Sequence, residues 1–364
     1  MTKQPEINEP TPGAGKTVKL ADVARAAGVS QGTVSNVFNR PELVSPSLRE
    51  KVEATAATLG YRGPDPRGRL LRAGRVNAVG VVTSAPLHHF FEDPYTRIFL
   101  AEISRSCQAR GAGISLVSAL DDEIAAWNIR TALVDGFILN CLVEGSRLVD
   151  LARRRGLPFV AIDFRSDPDV DYICIDDEWG AREAARHLVS LGHKRFGILM
   201  IPASDGPHAG FLDVSGEDPV RFDLVRRRLG GYLAAISEAG LPLPRAFETQ
   251  ADEASVSAGV DALLADDPTI TAFLCMSDRI ALHACHRLAS IGARVPEDYS
   301  VVGFDGTREA ATFNPPITTI RQPVGEKGAA AVDLVLGDPA AITERQLILP
   351  LSLVVGGSSG PPRG

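Results

Sequence analysis

Apolar residues recur at helical spacing near the start of the chain and give way to short continuous runs further on, so two kinds of structure are expected. Leu20, Val23, Ala24 and Ala27 fall at i, i+3, i+4 and i+7, one face of a helix. Gly28 stops it, because glycine adopts the left-handed backbone of a helix end at little cost. Ser30 is a candidate N-cap for a second helix over roughly 31–39, which buries Val34, Val37 and Phe38. Gln31, Gly32, Thr33, Ser35 and Asn36 are left outside. Ser45-Pro46-Ser47 opens a third helix, with Glu50 three residues after Ser47 in a capping-box pattern. Val52, Ala56 and Leu59 form its inner face.

From Val76 onward, apolar strands alternate with amphipathic stretches. Strands are predicted at 76–82, 113–118, 136–140, 158–163, 172–176, 195–200, 271–276 and 300–305, with helices between most of them, such as 95–110, 144–155, 179–191, 221–239, 254–266 and 278–291. Continuous apolar strands joined by crossover helices mean parallel sheets covered on both faces. Two such sheets are expected, with the chain crossing between them near Ile175, near Thr318 and around Ala341, before the run LILPLSLVV at 347–355. The segment 201–223 is rich in Gly, Pro and Asp and reads as a surface lid or flap.

Charge divides the chain in the same place as the pattern does. Between Lys16 and Arg75 there are 11 lysines and arginines against 5 acidic residues, whereas the whole chain carries −7. A basic head on an acidic body suits a head that neutralises phosphates. At 364 residues, 45% hydrophobic and 23% charged, the composition is that of a small domain plus a two-lobed globular body. No apolar run approaches membrane-spanning length, and residues 1–17 lack the apolar core of a signal peptide, so a disordered leader is expected. Five scattered cysteines argue against a disulfide framework and for a cytoplasmic protein.

Two motifs imitate chemistry without supporting it. Gly13-Ala14-Gly15-Lys16-Thr17 resembles the end of a phosphate loop, but Pro10 stands where its first glycine belongs and no strand precedes it. His283, Cys285 and His286 share a helix, but only residues 283 and 286 share a face, so no metal site is expected. No Ser/His/Asp set, nucleophile elbow or dinucleotide fingerprint occurs, and neither catalysis nor a cofactor is expected. What remains is the second helix, whose outer face carries short amides and hydroxyls and no acid. Asn and Gln can pair bidentately with adenine, so this face suits base edges and phosphates in a DNA major groove.

The head, through LADVARAAGVSQGTVSNVFN and VSPSLREKVEATAATLGY, resembles the lactose-repressor/galactose-repressor family of bacterial transcription regulators, and the similarity runs nearly to the C-terminus. The resemblance implies an α/β fold: a three-helix helix-turn-helix head at 18–61, a hinge at 62–75, and at 76–355 a two-lobed periplasmic-binding-protein-like body with doubly wound parallel sheets. It implies that Gln31, Gly32 and Asn36 read bases and that Thr33 and Ser35 meet phosphates, with Ser30 and Asn39 completing the DNA-facing set. Gly32 has no side chain to read with, which leaves the operator sequence open. The hinge would wedge a leucine into the minor groove; counting from either end gives Leu70 or Leu71, and Leu71 is favoured because Leu70 can then face its dimer mate.

In the body, NCLVEG, FVAID, RRLGGY, CMSD and VVGFDG occupy the family's pocket motifs. They mark Asn140, Asp163, Arg228, Asp278 and Asp305 as effector-binding residues. Carboxylates, an amide and a guanidinium at separate strand ends suit sugar hydroxyls, which both donate and accept. Where the family often places an aromatic ring after IRQP this chain has Val324, so a sugar or a related polar metabolite is expected without stacking there. The implied partners are an operator duplex, a small effector and a second copy of the chain, with no membrane. The tail after Val355 has no heptad pattern, so it is expected to be disordered and to form no tetramer.

Overall fold

The computed structural model describes residues 18–63, 74–140, 142, 147–165, 167–203, 208–212, 220 and 222–363, and the chain divides into two units, Met1–Val76 and Asn77–Gly364. In the first unit, helix α1 spans Leu20–Ala27, with the Lys19 backbone N–H donating to Asp22 at 3.0 Å. Gly28 ends it at φ 66°, in the left-handed region. Helix α2 (Gln31–Asn39) starts at Ser30, whose hydroxyl accepts from the Thr33 N–H at 3.0 Å. Helix α3 (Pro46–Leu59) has Pro46 at its first position.

Val23, Ala24, Ala27, Val34, Val37, Val52 and Ala56 form the head's core. Two expectations need correction. Ser45 is the residue before α3, so Ser47 lies inside the helix and the Ser47–Glu50 box does not form; Ser45 itself makes no side-chain cap bond. Leu59 is exposed rather than on the inner face, because Phe38 and Tyr61, ring edge to face at 5.6 Å, close that end of the core.

The second unit holds two sheets. The first joins β1 (Ala78–Thr83), β2 (Gly113–Ser118), β3 (Gly136–Asn140), β4 (Phe159–Ile162), β5 (Tyr172–Ile175) and β12 (Gln346–Leu349) in the order β12-β5-β4-β3-β1-β2, all parallel. The short helix α4 (His89–Glu92), α5 (Pro94–Ala109) and α13 (Val324–Leu336) cover one face; α6 (Asp122–Thr131) and α7 (Leu148–Arg155) cover the other. The second sheet contains β6 (Phe196–Met200), β7 (Gly210–Leu212), β8 (Arg245–Glu248), β9 (Ala272–Cys275), β10 (Ser300–Asp305), β11 (Thr318–Arg321) and β13 (Ser352–Val354). Its order is β13-β11-β10-β9-β6-β8-β7, with antiparallel strands only at its two edges. Helices α8 (Asp177–Ser190) and α9 (Asp223–Glu238) cover one face; α10 (Glu253–Asp266) and α11 (Asp278–Ser290) cover the other, with α12 (Arg308–Thr312) beside α11.

The crossing after β5 lies where the sequence places it, but the other two are displaced. Strand β11 belongs to the second sheet, so the second crossing follows Arg321 at Gln322-Pro323. The run 347–355 is two strands in different sheets, so the third crossing falls at Pro350 rather than near Ala341. Proline has no N–H for a ladder, and it ends β12 after Leu349. Leu347 then pairs with Ile173 of the first sheet, whereas Leu353 pairs with Ile320 of the second.

The tail also departs from expectation. Gly and Ser in GGSSGPPRG suggested disorder, yet Ser358 is fully buried. Its hydroxyl donates to the Val301 carbonyl at 2.6 Å and accepts from the Thr318 N–H at 2.8 Å. Gly356 passes so close to the Pro316 carbonyl that a Cβ would sit 2.4 Å from it. The small residues are needed for a strap against the sheet, which composition alone does not separate from a loose end. Part of the expected lid is likewise a strand: β7 pairs with β8, and Phe211 packs on Phe247 with ring centroids 5.5 Å apart.

Candidate functional site

On the head, α2 leaves Gln31 and Gly32 exposed and Thr33, Ser35 and Asn36 partly exposed. Four of the expected contact residues hold each other in place. The Ser30 and Thr33 hydroxyls are 2.9 Å apart, and Asn39 Nδ2 donates to Ser35 Oγ at 3.1 Å. These bonds fix rotamers while leaving hydroxyl lone pairs for other partners. The first turn of α2 has no acidic residue, so its free N–H groups and the positive end of its dipole face outward without a competing carboxylate. A Cβ at Gly32 would meet only Ser30 Oγ, at 3.6 Å, so packing does not require glycine there. Leu70 and Leu71 lie outside the described residues.

In the body, a buried set of charges gathers from strand ends and from the starts of helices. Arg228 comes from the first half of α9 and is 5% exposed. Its Nε donates to Asp177 at 2.8 Å, one of its terminal nitrogens donates to the Met276 carbonyl at 2.6 Å, and the same nitrogen is 4.0 Å from Asp305. The guanidinium lies over the Phe304 ring, 3.7 Å from its centroid. Burial opposes the charge on Arg228, but Asp177 and Asp305 outweigh burial and raise its pKa. Burial pushes the Asp177 carboxyl up to about 6 against the pull of Arg228, and pushes Asp305 well above the usual carboxylate range. Asp305 has φ 128°, an uncommon backbone for a side chain with a Cβ, of the sort retained where a group must be aimed.

Asp163, at the end of β4 and also in left-handed backbone (φ 54°), receives the Lys327 ammonium at 2.8 and 2.9 Å. Lys327 rises from the first turn of α13, is fully buried, and also donates to Tyr95 Oη and Gln322 Oε1, each at 3.0 Å. Gln322 Nε2 in turn donates to Asp305 at 2.8 Å. One connected path of polar groups therefore joins Asp163 of the first lobe to Arg228 and Asp177 of the second. An ion pair between Arg97 of α5 and Glu309 of α12 crosses between the lobes as well. Asn140 ends β3 opposite Thr83 and is buried.

Asp278 stands apart from this set. Its carboxylate accepts from the Thr307 N–H at 2.6 Å, the Thr307 hydroxyl at 2.9 Å and the Thr319 hydroxyl at 2.5 Å, while only its backbone N–H addresses Asp305, at 3.4 Å. Burial pushes it up to about 6, opposed by the Thr319 and Thr307 bonds. Its side chain ties the start of α11 to Thr307, after β10, and to Thr319 of β11. Sequence reasoning missed Asp177, Gln322 and Lys327. Asp177 is the second of two aspartates after β5, a visible signal; Lys327 carries no local signal that its ammonium is buried.

Residues 19–63 match the model of bacterial regulatory proteins of the lacI family, and residues 185–359 match a periplasmic binding protein-like domain. A helix-turn-helix-type transcriptional regulator of Mycobacterium tuberculosis is 36% identical over 364 residues, covering 97% of this chain and 99% of the relative. The ribose operon repressor of Escherichia coli is 31% identical over 327 residues, covering 87% and 92%. The solved structure of the lac repressor dimer bound to operator and the anti-inducer ONPF has a TM-score of 0.72 at 28% identity, covering 95% of this chain and 100% of the repressor chain.

Proposed function

The chain belongs to the lacI family of bacterial regulatory proteins and is a helix-turn-helix transcriptional regulator, not an enzyme; from this premise we propose that it is a dimeric repressor whose grip on an operator is set by a small, polar, uncharged metabolite, most simply a sugar, bound between the lobes of the body. The observation that carries the effector part is the buried Arg228, held between Asp177 and Asp305 at the mouths of the second-lobe strands. Donors and acceptors at fixed positions on several walls suit a ligand with hydroxyls on several sides.

The DNA part rests on α2: Gln31 and Asn36 reach bases, and Ser30, Thr33, Ser35 and Asn39 hold the helix and meet phosphates. Two-fold symmetry of a dimer asks for a near-palindromic operator. Asn140 and Asp163 contribute from the first lobe, and Leu70 or Leu71 supplies the minor-groove wedge. A ligand shifts DNA affinity only by its differential affinity for two lobe arrangements, about 1–3 kcal/mol in such systems. Binding to chromosomal DNA places the protein in the cytoplasm; among the described residues no helix is long and apolar enough to cross a membrane.

The test is selection of bound fragments from genomic DNA by the purified chain, followed by titration with D-ribose, cellobiose and a panel of neutral sugars and polyols. A near-palindromic site whose affinity falls steeply with salt and changes with one of the panel is expected. Binding with no sequence preference at any salt concentration would overturn the proposal.

A further inference from the structure

Gln322 sits in the two-residue crossing between β11 and α13 and is 5% exposed. Both ends of its amide are committed to charged groups in different lobes: Nε2 to Asp305 of the second and Oε1 to the Lys327 ammonium of the first. We propose that Gln322 is a positioning residue that couples Asp305 to the buried Lys327–Asp163 pair, so that an uncharged hydroxylated ligand claiming Asp305 also loosens the start of helix α13. This rests on the reading of the cleft as the effector site.

The chemistry of Asp305 makes the competition specific. Its Oδ1 is the atom that Gln322 addresses at 2.8 Å and that lies 4.0 Å from Arg228, whereas among the described residues Oδ2 receives a long 3.4 Å bond from the Asp278 N–H. A ligand hydroxyl that reaches Arg228 and donates to Oδ1 takes the position of the Gln322 amide. An amide that loses Asp305 is free to turn, and its carbonyl oxygen leaves Lys327. A buried ammonium is stable only with its partners in place, so the loss is felt at Lys327, in the first turn of α13. Helix α13 packs on α5 and on β3, β4 and β5, so its position belongs to the first lobe. An anionic ligand suits this site poorly: among the described residues, the ion pairs of Asp163, Asp177 and Asp305 set three carboxyl groups against the two cations Arg228 and Lys327.

The coupling is measured without DNA or ligand, by hydrogen exchange of the full chain followed by mass spectrometry, with α10 as internal reference for general loosening. Asp305→Ala removes the acceptor that a ligand would occupy. It should speed exchange in the first turns of α13 about fivefold beyond any change in α10, a factor equivalent to one net hydrogen bond. Asp305→Asn keeps a carbonyl acceptor for Gln322 and should leave α13 near the parent rate. In a Gln322→Leu chain, α13 should already exchange faster, and adding Asp305→Ala should change it no further. Equal increments from Asp305→Ala with and without Gln322, no change at α13, or an Asn variant matching the Ala variant would each overturn the coupling. Because neither DNA nor effector is present, such a failure counts against Gln322 alone and leaves the regulatory reading to its own test.

Discussion

The two functional regions handle polar groups in opposite ways. On and beside α2 the polar side chains are exposed or partly exposed and uncharged, and two pairs of them are tied within four residues, Ser30 to Thr33 and Ser35 to Asn39. In the cleft the groups are charged and buried, and they are satisfied by residues far apart in sequence: Arg228 by Asp177, Lys327 by Asp163. A surface that must slide along and leave DNA cannot carry buried charges, whose desolvation is recovered only in one geometry. The ligand-reporting role proposed for the cleft gains from them, because these buried pairs have partners in both lobes. Damage should therefore fall on stability in the cleft and on selectivity in the head.

The largest expected effect is that of Arg228→Ala. It strands Asp177 and Asp305 without their cation and should lower stability by about 3–5 kcal/mol, read as a drop in the unfolding midpoint; a loss under about 1 kcal/mol would mean the pair is effectively solvated. Next comes Asn36→Ala, which should leave stability nearly untouched but reduce discrimination between the selected operator and random DNA by about 1–3 kcal/mol. An unchanged ratio would show that Asn36 reads no base.

Asp278→Asn gives a smaller effect with a defined sign. Burial holds the Asp278 carboxyl up at about 6, above its unfolded value, so the folded state binds the proton more tightly and this group adds stability as pH falls below that point. Asparagine cannot titrate. The deficit of the variant should grow by about 1 kcal/mol between pH 7 and pH 5, and a deficit that shrinks would reverse the assignment. Smallest is Gly32→Ala, which places a methyl in ordinary contact with Ser30 Oγ in the first turn of α2 and should stabilise the head by about 0.5–1 kcal/mol. Thermal unfolding of the full chain, followed at the head, reads this directly.

The same contrast separates what the sequence makes legible from what it hides. The head is encoded by contiguous signals, a period, a stop glycine and a cap, and α1, α2 and α3 lie where those signals put them. The body strands were legible as apolar runs, and Arg228 and Asp305 come together as their motifs implied. The partners that complete the site were not legible. Nothing local to Lys327 shows that its ammonium lies buried beside an aspartate more than one hundred residues away, and Asp278 carries the same short motif whether it faces a ligand or two threonines. The crossings failed for a related reason: β12 and β13 differ in sheet, not in hydropathy, and only Pro350 between them marks the change.

That split run has a consequence for how the molecule is made. Each sheet receives an edge strand from residues 346–354, so on a ribosome neither lobe can be finished while that segment is still inside the exit tunnel. The lobes cannot mature in turn as two beads on a string; they wait for the same segment, which pairs Gln346 with Tyr172 in the first sheet and Val354 with Thr319 in the second. A nascent body thus stays open-edged in both halves until residues 346–354 have emerged.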